Sequence, residues 1–312
     1  MLDNKLYHVV NQDCIEHMAE MEPASMDFAV FSPPFPSLYA YSSSDADIGN
    51  SEDLAGGDAV LHLSFFYNQL VKVVKPGRVI MVHVAQIPRM KRTHKQGGTF
   101  DFRGMNIRLG ERAGLIWEYD WVVRKNPQSQ AIRTRSRELQ FAGLESDRAN
   151  TRGCMPDYLL KFRVPGENAV PINSPEQVSR NRWIEWAECT WMDIRETDTL
   201  NLKGTKGPDD TKHICPLQLP VINRLVRLFS NPGETVFSPF AGIGSEGWES
   251  IKLGRRFYGC ELNKNYFQQC LRNLKIAENS IQTLEQIDLY SDSQIDDEEA
   301  GFIHHSSGES AS

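Results

Sequence analysis

The sequence predicts an α/β fold with a doubly wound, mostly parallel sheet and a small inserted lobe. Patterns typical of strands and helices alternate along much of the 312-residue chain. Two of the predicted strands run into motifs rich in proline or glycine, and one later segment fits neither pattern. A chain of this length with 40% hydrophobic residues can bury a full core.

The alternation follows from the spacing of apolar residues. Strands are predicted where these residues run together or alternate, and helices where they recur every three or four positions. The predicted strands cover residues 7–13, 28–31, 78–84, 116–123, 158–163, 235–237 and 256–261. The predicted helices cover residues 14–21, 61–74, 105–113, 245–253 and 263–274, and a further helix opens within 213–220 and runs to 229.

The strand at 28–31 leads into Ser32, Pro33, Pro34 and Phe35. Two consecutive prolines cannot continue a strand, so the chain leaves the sheet at Ser32 in a stiff, extended turn. Open α/β sheets bind ligands at the carboxyl ends of their strands. The turn is therefore a candidate site, although Pro-Pro can also simply end a strand while the aromatic ring fills a core.

A second candidate site is the glycine loop at 238–244, between a predicted strand and a predicted helix. Gly242 and Gly244 let the backbone approach a ligand closely, and the start of the helix offers free N–H groups. Glu261 ends the next strand, 19 residues after Gly242. An acid at this spacing is the usual acceptor for ribose hydroxyls, and the alternative is a cap for the following helix.

Together, Ser32-Pro33-Pro34-Phe35 and the glycine loop resemble the DNA amino-methyltransferases, which carry a [D/N/S]-P-P-[Y/F/W] motif and an F-x-G-x-G loop. The order of the two motifs matches the permuted β group of that family. The resemblance implies a Rossmann-like methyltransferase sheet, S-adenosylmethionine as cofactor and double-stranded DNA as partner. It makes Ser32, Pro33, Pro34 and Phe35 catalytic: the Ser32 side chain and the Pro33 carbonyl accept hydrogen bonds from an exocyclic amino group, and Phe35 stacks on the flipped base.

The same resemblance implies the cofactor site. Asp13 and Cys14 would lie beside the adenine, although Asp13 can equally be only the N-cap of the next helix. Gln218 would pack against the methionine end, in a segment where Leu219 replaces the usual Lys. Ser238 stands where the family usually has Asp. The residues expected to bind the cofactor are Asp13, Cys14, Gln218, Ser238, Phe240, Gly242, Gly244 and Glu261.

The formal net charge of −7 by itself argues against a protein that binds nucleic acid, but residues 72–163 contain 19 Lys and Arg against 8 Asp and Glu. Basic residues neutralise phosphates, although in loops they are often only a solvated surface. A polar loop at 36–57 is expected to close over the target base. The expected DNA contacts are Tyr39, Tyr41, Arg133, Arg135, Arg137, Arg180, Asn181 and Arg182.

The predicted organisation has four parts. Residues 1–164 form the catalytic half, 165–212 a target-recognition insertion, 213–280 the cofactor-binding half and 281–312 an acidic, disordered tail. Tryptophans 183, 186 and 191 are expected to form the core of the insertion rather than to stack on bases.

Several classes of protein are disfavoured. The chain has no apolar run of membrane-spanning length and no signal peptide, so a cytoplasmic protein without a membrane partner is expected. The six cysteines are scattered, and neither a metal cluster nor a nucleophile triad is recognisable. No metal is therefore expected.

The resemblance leaves several points open. N4 of cytosine is slightly favoured over N6 of adenine because Ser32 opens the tetrapeptide. A restriction endonuclease would be a separate chain or absent, and the protein would be a monomer or a homodimer. The alternatives are a methyltransferase for a protein amide nitrogen, or a non-catalytic DNA-binding module on the same fold.

Overall fold

The computed structural model describes residues 5–36, 57–89, 97–134, 141–151, 153–173, 177–200 and 216–281. The strands in these residues are β1 (Tyr7–Val10), β2 (Phe28–Phe31), β3 (Val79–Ala85), β4 (Ile87–Arg89), β5 (Gly98–Phe100), β6 (Ile116–Val123), β7 (Asp157–Arg163), β8 (Thr190–Trp191), β9 (Thr235–Ser238) and β10 (Arg256–Cys260). The helices there are α1 (Cys14–Glu20), α2 (Asp58–Val73), α3 (Phe102–Arg112), α4 (Pro127–Thr134), α5 (Phe141–Ser146), α6 (Arg180–Trp186), α7 (Leu219–Phe229), α8 (Ser245–Lys252) and α9 (264–281).

The central sheet has the strand order β1-β10-β9-β2-β3-β7-β6-β8 within the described residues. The five strands from β1 to β3 in this order are parallel, whereas β7 runs antiparallel to both of its neighbours. From β9 the chain passes through α8 to β10 on one side, and from β2 it passes through α2 to β3 on the other. The boundary between β9 and β2 is therefore a topological switch point, where open α/β sheets bind ligands.

Strand β2 lies in the middle of this sheet, and its four residues are completely buried. Phe28 and Val30 pack into the hydrophobic cluster on one face of the sheet, while Ala29 and Phe31 pack into the cluster on the other. This two-sided burial explains why the strand is a continuous apolar run without polar alternation. The doubly wound, mostly parallel α/β fold predicted from the sequence is confirmed.

The region after β6 differs from the expectation. No helix or strand was predicted between residues 123 and 158, but the chain forms α4 and α5 there, and Arg133 falls in α4. A helix of eight residues has about two turns, which is too short to show a repeated apolar spacing, and its proline occupies the first helical position, where proline is tolerated. The structure also contains a small two-stranded sheet of β4 and β5, which the sequence did not indicate.

The described part of the predicted insertion packs against the main sheet. Strand β8 pairs with β6, and Trp186 and Trp191 are buried in the cluster that also contains Phe28 of β2. Trp183, by contrast, is 60% exposed. Two of the three tryptophans thus contribute to the core beneath the main sheet, and the part that this segment plays in target recognition remains a prediction.

None of the helices in the described residues is long and apolar enough to cross a bilayer.

Candidate active site

The proline-rich turn and the glycine loop are neighbours in space, although they are far apart in the chain. Strands β2 and β9 pair in parallel, with Phe28 opposite Val236 and Ala29 opposite Phe237. Both strands end at the same edge, so the turn that starts at Ser32 and the loop that follows β9 leave the sheet side by side. The fold therefore brings the two sequence motifs together at the switch point.

The residues of the proline-rich turn differ in how deeply they are buried. Ser32 and Pro34 are half-buried, whereas Pro33 is buried. Phe35 is also half-buried, and its ring packs against that of Phe102 with 5.2 Å between centroids. The aromatic ring is thus held in place by the core while part of it remains accessible.

Ser32 begins a line of hydrogen bonds that crosses three strands. Its Oγ lies 2.7 Å from Nδ1 of His83 on β3, and Nε2 of the same ring lies 2.8 Å from Oδ2 of Asp157 on β7. Nζ of Lys125, just after β6, lies 2.5 Å from the same oxygen of Asp157. Asp157 is buried, which on its own raises its pKa, but His83 and Lys125 outweigh this effect and lower the pKa to about 2.

Neither His83 nor Asp157 was singled out from the sequence, in which no nucleophile triad was recognisable. The order differs from that of a serine hydrolase, because here serine meets Nδ1 and the carboxylate meets Nε2. Two signals could have pointed to the pair: a histidine in an otherwise apolar buried strand, and an aspartate that opens another. Their meeting depends on the antiparallel pairing of β3 and β7, which local patterns do not encode.

The glycine loop has the backbone conformation that its sequence predicts. Gly242 and Gly244 have φ values of +54° and +86°, in the region that favours glycine. The N–H of Gly242 donates to Oε2 of Glu261 at 2.8 Å, and the N–H of Asn263 donates to Oε1 at 2.7 Å. Glu261 therefore holds the loop and the start of α9 together. Because a carboxylate oxygen can accept more than one hydrogen bond, a ligand can share this side chain with the backbone.

Phe240, in the same loop, forms part of its floor. Its ring centroid lies 5.8 Å from that of Phe31 and 5.0 Å from that of Phe66. The loop is thus anchored by an aromatic cluster that also contains the last residue of β2.

Several buried polar atoms near the loop lack a partner among the described residues. They are Oε1 of Gln218, which precedes α7, Oγ of Ser238, which ends β9, and Oγ of Ser245, which begins α8. A buried polar atom without a hydrogen bond costs about 1 to 3 kcal/mol. A polar ligand at this edge would supply the missing partners.

The space beside the loop also suits a ligand. A Cβ built at Gly242 would have no atom within 4 Å. Glu246, in the first turn of α8, is buried, and burial together with the nearby Glu261 raises its pKa to about 8. This side chain is therefore a neutral hydrogen-bond donor at neutral pH. The residues present fit a ligand that carries both donors and acceptors, as an amino-acid and nucleoside compound does.

Asp13 and Cys14 lie at the carboxyl end of β1, at the edge next to β10. Oδ1 of Asp13 accepts hydrogen bonds from the N–H groups of Ile15 and Glu16 at 2.8 and 3.1 Å. The alternative role of Asp13 as the N-cap of α1 is confirmed. Cys14 is buried, and this burial raises its thiol pKa well above the ordinary value. Contact of either residue with a cofactor remains a prediction.

The residues predicted to contact DNA are only partly covered by the structure. Tyr39, Tyr41, Arg135 and Arg137 lie outside the described residues, as do most of the predicted lid at 36–57 and the tail beyond 281. Arg180, Asn181 and Arg182 form the first turn of α6, and all three are exposed. The structure therefore keeps these three residues available for contact, and their function remains a prediction.

The geometry defines a class: a Rossmann-like α/β protein whose candidate site joins a glycine loop and a proline-rich turn at the switch point of its sheet. A family model described as DNA methylase, for N6 and N4 methyltransferases, matches residues 26–272, and the chain belongs to this family.

Curated relatives are similar over parts of the chain. The DNA adenine methyltransferase YhdJ of Escherichia coli is 41% identical over 64 residues, which cover 20% of this chain and 22% of YhdJ. The type II methyltransferase M1.MboII of Moraxella bovis is 40% identical over 75 residues, or 24% of this chain and 27% of that protein. The chain thus spans about a quarter of the length of these two relatives. M.MthZI of Methanothermobacter thermautotrophicus is 21% identical over 275 residues, which cover 80% of this chain and 71% of that protein.

Solved structures share the fold. The putative DNA modification methylase TTHA0409 of Thermus thermophilus, in complex with S-adenosyl-L-methionine, superposes with a TM-score of 0.65 at 19% identity, over 87% of this chain and 94% of that one. The cytosine-N4-specific PvuII DNA methyltransferase superposes with a TM-score of 0.58 at 14% identity, over 88% of this chain and 92% of that one.

Proposed function

We propose that this protein transfers a methyl group from S-adenosylmethionine to the exocyclic amino group of a base in double-stranded DNA. The observation that carries the proposal is the pairing of β2 with β9, which sets the turn at Ser32 beside the glycine loop after Ser238. A methyl donor held by the loop and an amine held by the turn would then meet at one edge of the sheet. Membership of the DNA methylase family supports the same reaction.

The turn has the groups that this chemistry needs. An amine attached to an aromatic base is a poor nucleophile because the nitrogen lone pair is delocalised into the ring. Hydrogen-bond acceptors against its N–H bonds, provided by Ser32 Oγ and the Pro33 carbonyl, localise the lone pair and stabilise the charge that develops on nitrogen. Phe35, held against Phe102, offers an aromatic surface for the base once it leaves the duplex.

S-adenosylmethionine is the cofactor of the family to which the chain belongs, and when bound it supplies the methyl group. Oε1 of Gln218 and Oγ of Ser238, which lack a partner among the described residues, would hold its amino-acid end. Gly242 and Gly244 would let the backbone approach it closely, with open space beside Gly242. Glu261 would accept hydrogen bonds from the ribose hydroxyls. Asp13 and Cys14 would line the adenine.

For the target base, we propose N4 of cytosine ahead of N6 of adenine, because Ser32 opens the catalytic tetrapeptide. The exposed Arg180, Asn181 and Arg182 on α6 would contact phosphates and base edges. The protein would act in the cytoplasm, and any restriction endonuclease would be a separate chain.

The test is transfer of labelled methyl from S-adenosylmethionine to unmethylated duplex DNA, followed by mass spectrometry of the nucleosides. We expect N4-methylcytosine, and N6-methyladenine would correct the base while keeping the function. Phe35→Ala should reduce transfer strongly, whereas Phe65→Ala, which truncates a 52% exposed ring on α2, should leave it unchanged. Cofactor binding without any methylated nucleoside would refute the proposal and favour a protein amide substrate or a non-catalytic DNA-binding module.

A further inference from the structure

The hydrogen-bonded line from Ser32 to Lys125 starts at the proposed catalytic turn and ends in the protein interior. Ser32 is half-buried, the side chain of His83 is 12% exposed, and Asp157 is buried. The accessible end of the line is therefore the serine hydroxyl. The function proposed above uses this hydroxyl as an acceptor but gives no task to the histidine behind it.

The charges along the line determine where the hydrogens lie. The pKa of Asp157 is about 2, so its carboxylate is ionised at neutral pH and accepts from Nε2 of His83. In a neutral imidazole that donates from Nε2, Nδ1 carries no hydrogen and can only accept. The Ser32 hydroxyl must then donate to Nδ1, which leaves both lone pairs of Oγ facing away from the histidine. The line thus converts Ser32 into a directed hydrogen-bond acceptor.

We propose that His83 is a positioning residue that acts through Ser32, first orienting its hydroxyl and then taking up its proton. This inference rests on the proposed function. Formation of the bond between the amine nitrogen and the methyl carbon would be balanced by cleavage of the donor's carbon–sulfur bond, whose electron pair would stay on sulfur. The nitrogen then carries one proton too many. That proton passes to Ser32 Oγ, the hydroxyl proton passes to Nδ1 of His83, and the resulting imidazolium later releases a proton to solvent.

The groups around His83 are suited to this task. Strand β2 contributes Ser32 through the turn at its end, β7 contributes Asp157, and the end of β6 contributes Lys125. The carboxylate stabilises an imidazolium, as in other relays of this type, while Lys125 offsets part of that stabilisation. A protonated His83 at the outset would donate from Nδ1 to Ser32 and occupy a lone pair that the amine needs. Protonation of His83 is therefore expected to slow methyl transfer and to give its pH profile an acid limb.

The experiment combines a spectrum that needs no turnover with the pH dependence of transfer. A long-range ¹H–¹⁵N spectrum of the full chain should show His83 as the Nε2–H tautomer at mildly alkaline pH, assigned by the loss of its signals in His83→Asn. Asparagine keeps a hydrogen-bond acceptor near the Nδ1 position but takes up no proton. The variant should slow transfer to DNA by about 100-fold and remove the acid limb of the pH profile.

His17→Asn is the matched control, because both nitrogens of His17 are also within hydrogen-bond distance of side chains, those of Gln12 and Tyr258. It should keep the rate and the acid limb. Thermal unfolding and cofactor binding verify that each variant is folded. If His83→Asn does not fold, Lys125→Gln is the second variant, and removal of its positive charge should move the acid limb to higher pH.

The outcomes separate the two proposals. A wild-type protein that binds the cofactor but methylates no DNA overturns the proposed function, and the relay with it. Transfer by the wild type that His83→Asn leaves unchanged in rate and pH profile overturns the relay alone. A spectrum with hydrogen on Nδ1 at mildly alkaline pH, or a Lys125→Gln profile that does not move, also overturns it.

Discussion

Gly244 and Cys270 lie so close that no side chain fits between them: a Cβ built at Gly244 would lie 2.8 Å from Sγ of Cys270. The φ of +86° at Gly244 adds strain for any residue with a side chain. Gly244→Ala should therefore lower the free energy of unfolding by about 2 to 4 kcal/mol, from backbone strain and overpacking together. Chemical denaturation measures this effect, and an unchanged midpoint would show that α9 can move away from the loop.

Gly242 provides a comparison within the same loop. Its φ is +54°, but a Cβ there would meet no atom within 4 Å. Gly242→Ala should cost only about 1 kcal/mol of stability, from backbone strain. Because the new methyl group would project into the space proposed for the cofactor, calorimetry should show weaker binding of S-adenosylmethionine. Wild-type affinity in a folded Gly242→Ala variant would argue that the cofactor does not lie against this glycine.

Ser238 and Ser230 are buried serines with opposite surroundings. Oγ of Ser238 lacks a partner among the described residues, whereas Oγ of Ser230 donates to the Val226 carbonyl and accepts from Nε of Arg255. Ser238→Ala should leave the free energy of unfolding unchanged or higher, and should weaken cofactor binding by about 1 kcal/mol, roughly fivefold.

Ser230→Ala is the matched control for this prediction. It should lower stability by about 1 to 3 kcal/mol, since two hydrogen bonds in the core are lost, without changing cofactor affinity. Calorimetry and denaturation on both variants measure the contrast. A loss of stability in Ser238→Ala would mean that the Ser238 hydroxyl already stabilises the folded protein without the cofactor.

Burial of Glu246 should make the protein less stable as the pH rises. Its pKa is raised from 4.5 to about 8, so the folded state retains a proton that the unfolded state loses between these values. The wild type should lose stability as pH rises from 4.5 through about 8, by an amount on the order of 5 kcal/mol. Glu246→Gln removes this loss. The free energy of unfolding of the variant in urea, relative to that of the wild type, should therefore increase with pH. Parallel stability curves for the two proteins would contradict the raised pKa of this buried carboxyl.

The ion pairs of Asp157 should make the protein less stable as the pH falls into the acid range. Its pKa is lowered from 3.8 to about 2, so its contribution is fully present above pH 3.8 and is lost as the pH falls through 2. The contribution is about 2 kcal/mol. Asp157→Asn should lower stability at neutral pH and flatten the acid limb of the stability curve. Asp198→Asn, at a partly exposed aspartate with only a 3.9 Å contact to Arg195, should change neither.

Local patterns predicted the helices and strands well where a segment has a clear apolar spacing or a clear stop signal. Strand β6 has the bounds Ile116–Val123 that its alternation indicates, and α7 ends at Phe229 before Asn-Pro-Gly. Helix α9 extends further than predicted, to residue 281, because helical periodicity continues without a stop signal. Helix α4 was missed because its eight residues are too few to repeat an apolar spacing.

The sequence by itself determined the chemistry of the two motifs. Ser32-Pro33-Pro34-Phe35 ends a buried strand, and the glycine loop needs the positive φ values that only glycine adopts easily. Those properties follow from the covalent structure of proline and glycine, so they can be predicted from the sequence without knowledge of the fold.

Only the tertiary structure decided that β9 lies beside β2, and that His83, Asp157 and Lys125 stand behind Ser32. Both arrangements depend on which strands become neighbours and in which direction they run. Strand order depends on burial of the whole chain and on contacts between residues distant in sequence. The apolar spacing within one segment therefore does not predict it.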